Sequence, residues 1–378
     1  MRAAFLASIG VLAGLLPLQF AGAAVGDGIR VEGEARHENL AVFMLRGPSA
    51  PGPVPMTLAE ALDRGAVRVV ETGSVNDLLI EAVGGDSVFI QAGDIVKGGQ
   101  QDRVLMSSLL LTPGAGKVSI GSYCVEAGRW AQRGKEDIKQ FSSAAEAVPS
   151  RVAKLVLNAA PSTEVVGERA ESRRTIQTEG SRNPGGVRAS PELPSAAGAA
   201  RVSETLKRQK KIWDEVAETQ AKLKANTGGA VAAAASATSL QLSLENERVR
   251  QSRAAYVAAL EKVADGDDLV GFVVAINGRI SSAEIYPSTA LFRKMWPKQL
   301  AAAATEAVAD KGRDIVAAAQ PTTQDVEEFL ASGQTGQSVQ RKIGSVSEFT
   351  HVDSAKALFV EARSASGSWY HRSYVAKQ

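Results

Sequence analysis

Residues 266–286 read GDDLVGFVVAINGRISSAEIY, and this stretch decides the fold. Two apolar runs of strand length stand on either side of Asn277 and Gly278. An Asn-Gly pair is a strong signal for a two-residue hairpin turn, because both residues tolerate the positive φ that such a turn requires. The stretch therefore predicts two adjacent antiparallel strands, around which the remaining segments can be placed.

Short apolar runs divided by turn residues dominate the chain from residue 39 to residue 125. Such runs are typical of strands, and the Gly- and Pro-rich stretches between them favour turns. One helix interrupts the series, because Thr57 can cap it, Glu60 stands three residues further on and Gly65 can end it. The predicted strands are NLAVFML (39–45), AVRVVE (66–71), DLLIEAV (77–83), DSVFIQA (86–92), RVLMSSLLL (103–111) and KVSIGSYC (117–124).

After residue 202 the apolar residues recur at helical spacing. A connector of Gly, Ala and Ser over residues 227–238 separates the first two helical segments. A second hairpin is predicted near the C terminus, between KALFVEARS and SWYHRSYVAK. The predicted helices span residues 203–225, 239–264, 288–309 and 322–330.

The order of strands, helices and strands again indicates an α+β protein and not a series of βαβ units. We predict one main domain, with a strand-rich part over residues 37–160 and a helical and hairpin part over residues 203–376. The N-terminal strands and the C-terminal hairpins are expected to share a sheet system, with the helical middle section packed against it. Residues 161–202 lack periodicity and large apolar groups, so they are interpreted as a flexible low-complexity insertion.

The first residues have the pattern of a secretory signal peptide. Arg2 precedes an apolar run over residues 3–18, and small residues follow it at 21–23. A permanent membrane anchor is the alternative, but Pro17 interrupts the run. We therefore predict a signal peptide over residues 1–23, export to a periplasm or the exterior, and a soluble mature protein with no stable membrane anchor.

Charge and composition narrow the classes of function. Lys and Arg number 43 against 41 Asp and Glu, and the net charge of +2 argues against nucleic-acid binding. The single cysteine, Cys124, excludes an intramolecular disulfide and is interpreted as a small buried hydrophobe. The three histidines form no closely spaced ligand pair, so no metal site is predicted, and His371 is interpreted as a surface or packing residue. No cofactor can be named from the sequence.

Two polar segments are candidates for a ligand site. The stretch AGDIVKGGQQDRVL (92–105) crowds polar side chains around a Gly-Gly pair, and residues 126–130 supply a carboxylate, a guanidinium and an indole. Arginine offers forked donors to phosphate or carboxylate, and tryptophan offers a stacking surface. The predicted ligand-binding residues are Asp94, Gln101, Asp102, Arg103, Glu126, Arg129 and Trp130.

These residues allow two hypotheses. In the first, they line an accessible hollow that binds a small phosphorylated or carboxylated molecule, including one derived from a nucleotide. In the second, they pair with one another as an internal brace, and the protein is a non-enzymatic envelope protein that binds other proteins. The sequence leaves catalysis open, because it presents no recognised nucleophile motif.

Several blocks in order also resemble a known family. They are SVNDLLIEA (74–82), VFIQAGDIVKGGQQDRVL (88–105), CVEAGRW (124–130), IWDEVAETQ (212–220) and FVVAINGRISSAEIYPSTALFRKMWPK (272–298). Together they resemble the domain family named for its association with ADP-ribosylglycohydrolases and rhodanese-phosphatase proteins. The resemblance implies a link to NAD or ADP-ribose metabolism, and it places the family's polar signature on the seven predicted ligand residues and on Asn277. Members often carry Glu where this chain has Asp94.

Overall fold

The hairpin predicted at Asn277 and Gly278 is present at the centre of the largest sheet. In the computed structural model, both residues have positive φ, 52° and 75°. The strand before the turn, Leu269–Ile276, pairs antiparallel with the strand after it, Arg279–Ile285. The model describes residues 27–160, 196–312 and 320–377, with the backbone alone for residues 196–201. The predicted signal peptide lies outside these residues, as does most of the predicted insertion.

The strands form three separate sheets. The strands of the described ranges are β1 (Arg30–His37), β2 (Leu40–Arg46), β3 (Met56–Thr57), β4 (Val67–Glu71), β5 (Asp77–Ala82), β6 (Val88–Ile90), β7 (Asp94–Gly98), β8 (Arg103–Leu105), β9 (Leu109–Leu111), β10 (Lys117–Cys124), β11 (Phe141–Ala147), β12 (Leu269–Ile276), β13 (Arg279–Ile285), β14 (Gln337–Ile343), β15 (Ser347–Asp353), β16 (Ala357–Ser364) and β17 (Trp369–Ala376). An eight-stranded sheet has the order β1-β2-β12-β13-β17-β16-β15-β14, a six-stranded sheet has the order β11-β7-β8-β10-β5-β4, and a three-stranded sheet has the order β3-β6-β9.

The helices separate and cover these sheets. None of the helices in the described ranges is long and apolar enough to span a membrane. They are α1 (Leu58–Asp63), α2 (Arg151–Asn158), α3 (Ala196–Asn226), α4 (Leu240–Leu244), α5 (Glu247–Leu260), α6 (Thr289–Ala309) and α7 (Thr323–Gly333), with a short 3₁₀ helix at Glu261–Asp265.

The predicted α+β class is confirmed, and the sharing of a sheet takes a specific form. Of the N-terminal strands, β1 and β2 join the C-terminal hairpins in the eight-stranded sheet, whereas the other N-terminal strands build the two smaller sheets. Strand β12 is buried along its whole length, because one face of its sheet packs against α6 and the other contributes to a second apolar core. The large sheet is therefore a central layer with apolar packing on both of its faces.

Helix α6 is the element that connects the layers. It contacts β12 on one side and β11 of the six-stranded sheet on another, and it also packs against α3 and α5. Ser288 caps its first turn by accepting a hydrogen bond from the Leu291 amide, as the predicted boundary requires. The helix carries Trp296, whose indole Nε1 donates to the Glu261 carbonyl at 2.9 Å. Because helix α6 is buried between these elements, its apolar residues occupy more than one side of the helix.

Local capping accounts for several other predictions. Thr57 and Glu60 form the predicted capping box at α1, and Thr322 forms one at α7 with Asp325. The helix predicted over residues 239–264 is interrupted, because Asn246 takes an extended conformation and caps α5 with its side chain. The prediction of one continuous helix was wrong at that point.

Other boundaries also differ from the sequence prediction. The strand predicted over 103–111 is two strands, β8 and β9, that belong to different sheets. The helix predicted over 203–225 begins earlier, at Ala196. Helix α2 and the β14–β15 hairpin were not predicted, since α2 is short and β14 is an exposed, polar edge strand without an alternating apolar pattern.

Gly271 offers a test of the central hairpin. A Cβ at this position would lie 2.3 Å from the backbone oxygen of Glu284 on β13. We expect Gly271→Ala to lower the free energy of unfolding by about 1–3 kcal/mol, since β12 and β13 would have to separate locally. Urea unfolding measures the loss. Gly33→Ala is the matched control, because a Cβ there meets nothing within 4 Å, and an equal loss in both variants would contradict the close approach.

Candidate functional site

The predicted Gly-Gly loop is a tight connection between β7 and β8. Gly98 and Gly99 both have positive φ, 115° and 55°. A Cβ on Gly99 would lie 2.4 Å from the ring of Phe141, and the Gly98 amide donates to Asp102 Oδ1 at 3.0 Å. The two glycines are therefore required by the path of the chain and by the packing of an aromatic ring against it.

The carboxylates of Asp102 and Glu126 meet a guanidinium that the sequence analysis did not select. Both carboxylates are completely buried. Arg133 binds Asp102 with two nitrogens, at 2.8 and 2.9 Å, and its Nη1 lies 3.1 Å from Glu126 Oε1. Burial alone would lower the pKa of Arg133, but its hydrogen bonds to Asp102 and Glu136 raise that pKa above its usual value. Arg133 is thus held as a cation inside the protein.

Two further side chains complete this group, which we call the Arg133 cluster (Asp102, Glu126, Arg129, Arg133 and Ser239). Arg129 Nε lies 2.6 Å from Glu126 Oε2, and its Nη2 donates to the Gly98 carbonyl at 3.2 Å. Ser239, which caps α4, donates to Asp102 Oδ2 at 2.9 Å. The cluster therefore joins the β7–β8 connection, the segment after β10 and the start of α4.

Arg103 and Gln101 lie beside this cluster and face Cys124. Arg103 is completely buried, donates to the Gln101 carbonyl at 3.1 Å and approaches the Glu71 carboxylate at 3.5 Å. Gln101 Oε1 lies 2.8 Å from Cys124 Sγ. Burial raises the pKa of Cys124 to about 11, so the thiol is protonated and unreactive at neutral pH. The predicted burial of this cysteine is confirmed.

Trp130 and Asp94 stand apart from the other predicted residues. The Trp130 side chain is 48% exposed, and Arg103 lies over its ring with Cζ 5.7 Å from the centroid. Asp94 is buried in a different place, where it accepts from Lys298 on α6 at 2.8 Å and from the Gln91 amide at 3.0 Å. The structure thus brings together Gln101, Asp102, Arg103, Glu126 and Arg129 and separates Asp94 from them.

A second polar region lies between the large sheet and the loop that precedes β9. His371 on β17 is 3% exposed, so of the two interpretations, surface residue or packing residue, the structure agrees with packing and excludes the surface. Its Nδ1 lies 2.9 Å from Ser108 Oγ, and its Nε2 lies 3.0 Å from Glu284 Oε2. The second contact is close in distance, although the N–H direction is not aligned for a full hydrogen bond.

Two adjoining cavities lie in this region, one lined by Glu284 and the other by His371, and they share Ala92, Leu157, Asn158 and Ser373 in their walls. In each cavity, the centre of a water molecule can move within a volume of about 10 Å³. That space suits roughly one water molecule, which polar walls can hold. We call the one lined by His371 the His371 cavity, and its polar wall consists of Ser107, Ser108, Asn158, Arg341, His351, His371 and Ser373.

Arg341 on β14 contributes a cation to this wall. Its Nη2 donates to Ser107 Oγ at 2.6 Å, and its guanidinium lies over the Phe349 ring at 4.7 Å. Within the described ranges no carboxylate lies within 4.0 Å of it, and its buried Nε has no acceptor. Burial lowers the pKa of Arg341 to about 10, which reflects a charge removed from water without an ionic partner.

His351 provides an acceptor opposite this cation. Its Nδ1 lies 3.1 Å from the Asn158 carbonyl oxygen, which can only accept, so Nδ1 carries the proton and Nε2 keeps a lone pair. That buried Nε2 has no hydrogen-bond partner in the described part of the chain. Burial, and then the charge of Arg341, lower the pKa of His351 to about 4. The wall thus presents both an unused donor and an unused acceptor.

The sequence contained a weak signal for this region. Glu284 and Ser373 are direct partners in the β13–β17 register, and both are buried polar residues within largely buried strands. Polar residues in a strand with two buried faces need partners, and they are therefore worth attention as site candidates. The other groups of this region, Ser108 and Arg341, come from distant segments, and their contacts could not be inferred from the sequence.

The comparisons with known proteins identify a family. The model of the ARG and Rhodanese-Phosphatase-superfamily-associated Protein domain, ARPP-1, matches residues 28–375. The chain belongs to this family. The resemblance inferred from the sequence blocks is thereby confirmed, and the ARPP-1 domain includes both the Arg133 cluster and the His371 cavity. No curated protein and no solved structure matches the chain.

Removal of the central cation of the Arg133 cluster should destabilise the domain strongly. We expect Arg133→Met to cost about 3–5 kcal/mol, because Asp102 would lose its bidentate partner while staying buried. Urea unfolding monitored by circular dichroism measures the change. Lys210→Met is the control, since the exposed Lys210–Asp214 pair should contribute about 1 kcal/mol or less. Equal losses in the two variants would mean that the cluster contributes no special stability.

His351 should make the domain less stable in acid. The pKa is about 4 in the folded protein and about 6.5 in the unfolded chain, so the unfolded chain binds more protons between these values. The contribution of His351 to the free energy of unfolding is therefore fully present above about pH 6.5, and it is lost as the pH falls. Between pH 7 and pH 5 we expect a loss of about 2 kcal/mol in the wild type that is absent from His351→Gln. Urea unfolding at the two pH values tests this, and identical pH dependences would contradict it.

Proposed function

We propose that this ARPP-1 domain is an exported protein that binds a small phosphorylated or carboxylated molecule, and that Arg341 holds the anion. Molecules derived from nucleotides or ADP-ribose fall within this class. The observation that carries the proposal is the half-buried Arg341, whose side chain lines a cavity, keeps a buried Nε without an acceptor and lies within 4.0 Å of no carboxylate in the described residues.

The chemistry of the cavity wall suits an anion that also carries a hydroxyl group. Arg341 offers an unused Nε–H to an acidic oxygen, and arginine binds phosphate and carboxylate in a forked geometry. The unpaired Nε2 of His351 can accept a hydrogen bond from a ligand hydroxyl. An anion would also offset the cost of keeping the guanidinium out of water. A bound water could satisfy the hydrogen bonds but could not neutralise the charge.

The Arg133 cluster supports a different role for the residues that the sequence selected. Asp102 and Glu126 are completely buried and each already contacts a guanidinium, so neither carboxylate is open to a ligand. We propose that the cluster is an internal brace that fixes the loop after β10 over the six-stranded sheet. This second candidate role concerns the fold and is compatible with ligand binding elsewhere.

Ligand binding can be tested by thermal shift. Inorganic phosphate, succinate, AMP and ADP-ribose should be compared at constant ionic strength, and at least one should raise the melting temperature. A ligand at 100 times its dissociation constant stabilises by about 2.7 kcal/mol, which such an assay detects. Arg341→Met should abolish the shift, because the variant keeps the length of the side chain and removes its charge.

The control for that experiment is another strand arginine. Arg68→Met removes an exposed arginine on β4, and it should leave the ligand-induced shift unchanged. If no anion stabilises the wild type, or if Arg341→Met responds as the wild type does, the binding proposal is wrong.

Export has its own test. The proposal rests on the apolar run and small residues within residues 1–23. Expression of the full chain in a secreting bacterium should yield periplasmic protein that begins at residue 24 or 25, as N-terminal sequencing would report. Full-length material retained with the cells would contradict cleavage.

A further inference from the structure

Ser108, His371 and Glu284 form a chain of contacts that neither the fold nor the Arg133 cluster explains. They come from three separate segments, and each is at most 6% exposed. Ser108 Oγ lies 2.9 Å from His371 Nδ1, and His371 Nε2 lies 3.0 Å from Glu284 Oε2. A hydroxyl, an imidazole and a carboxylate in this order are the components of a nucleophile with its general base and an orienting acid.

The surroundings favour one direction for the protons. The Ala92 amide donates to Ser108 Oγ at 3.0 Å, so the serine hydroxyl is free to donate its own proton to an acceptor. The Glu284 carboxylate favours the tautomer of His371 with the proton on Nε2, because a lone pair there would face negative charge. His371 Nδ1 is then the acceptor for the Ser108 hydroxyl. The chain is therefore polarised from the serine toward the carboxylate.

The orienting carboxylate is itself held in place. Ser373 donates to Glu284 Oε1 at 3.2 Å, and Asn158 donates to Ser373 Oγ at 3.1 Å. The backbone carbonyl of Ser108 is 2.9 Å from the hydroxyl of Tyr370. Such supporting contacts fix the geometry of a reactive group, which is a requirement for catalysis by positioned side chains.

We propose that Ser108 is a catalytic nucleophile, with His371 as its general base and Glu284 as a positioning residue, and that the domain hydrolyses a carboxylic ester carrying a nearby anionic group. The anionic part of the substrate rests on the proposed function, since Arg341 would hold it. Arg341 binds the side chain of Ser107, the residue next to the nucleophile, so the anionic group and the ester must be close together. A monoester of a short dicarboxylic acid has this shape.

The reaction proceeds in two steps, acylation of Ser108 and hydrolysis of the acyl-enzyme. Ser108 Oγ forms a bond to the ester carbonyl carbon while its proton passes to His371 Nδ1. The carbon–oxygen bond to the alcohol then breaks, and the alcohol leaves with that proton. In the second step a water molecule gives a proton to His371 and attacks the acyl carbon, which releases the acid and returns the proton to Ser108. The net change is ester and water to acid and alcohol.

Substrate entry requires movement at the sheet edge. The His371 cavity has room for about one water molecule, which suits the second step but not an ester. Its outer wall includes Arg341 on β14, an edge strand that pairs with β15 alone and is mostly exposed. Outward displacement of β14 from β15 would open the cavity to the solvent. Segments of this kind open at low energetic cost.

Covalent labelling tests the nucleophile directly. A neutral fluorophosphonate should modify the folded full chain at Ser108, and mass spectrometry of the peptides identifies the site. Ser108→Ala should abolish the modification, and His371→Gln should slow it by about 100-fold or more. Ser122→Ala is the matched control, because Ser122 is also fully buried and its hydroxyl has no hydrogen-bond partner in the described ranges. Absence of Ser108 labelling in the wild type, or equal rates in His371→Gln, would overturn the proposal.

The role of Glu284 has a separate readout. Glu284→Gln should slow labelling by about 10- to 100-fold, because the carboxylate that orients His371 is lost. Glu284→Asp keeps a carboxylate and should recover most of that rate. Equal rates in the Gln and Asp variants would assign Glu284 a purely structural role and remove it from the mechanism.

The anionic preference can be separated from the nucleophile. 4-Nitrophenyl acetate and mono-4-nitrophenyl succinate differ in the carboxylate that Arg341 would bind. The wild type should hydrolyse the succinate at least about tenfold faster, since a charged hydrogen bond supplies that much. Arg341→Met should lose this preference, because the variant has no cation to bind the succinate carboxylate. If the wild type labels at Ser108 but shows no preference, the nucleophile stands and the anion role of Arg341 is refuted.

Discussion

The pairing of β13 with β17 is the contact on which the rest of this structure depends. It joins the central Asn277-Gly278 hairpin to β17 and so combines two groups of four strands, β1-β2-β12-β13 and β17-β16-β15-β14, into one eight-stranded sheet. The same register sets Glu284 opposite Ser373 and brings His371 to Ser108, a residue of the N-terminal half. One antiparallel contact thus fixes both the central layer and the geometry of the His371 cavity.

The charged side chains of the Arg133 cluster are paired with opposite charges, whereas the charge of Arg341 is not, within the ranges that the structure describes. In the Arg133 cluster, each carboxylate faces a guanidinium and further polar groups, so desolvation is offset within the protein. At the His371 cavity, Arg341 has a serine and an aromatic ring but no carboxylate among the described residues. A complete cluster favours a structural role, whereas an incomplete one favours an external ion. Density of polar residues along a sequence cannot distinguish these cases.

Membership of the ARPP-1 family does not by itself assign a reaction to this chain, because fold and family do not determine a reaction. The physical case rests on the partners of individual side chains. Trp130 remains the one predicted ligand residue that is largely exposed, and its ring covers a guanidinium that is already buried. The predicted residues therefore contribute mainly to the interior, and the unpaired groups lie where the large sheet meets Ser107 and Ser108.

The sequence by itself determined the features that depend on neighbouring residues. The Asn-Gly turn, the cap at Thr57, the burial of Cys124 and the α+β order all follow from residue type and local spacing. The break at Asn246 was missed because capping competed with helix propensity. Only the tertiary structure decided which charges meet, since Arg133 completes a cluster 31 residues away from Asp102 and Ser108 reaches His371 across 263 residues. Burial makes such contacts decisive, and burial is a property of the folded chain.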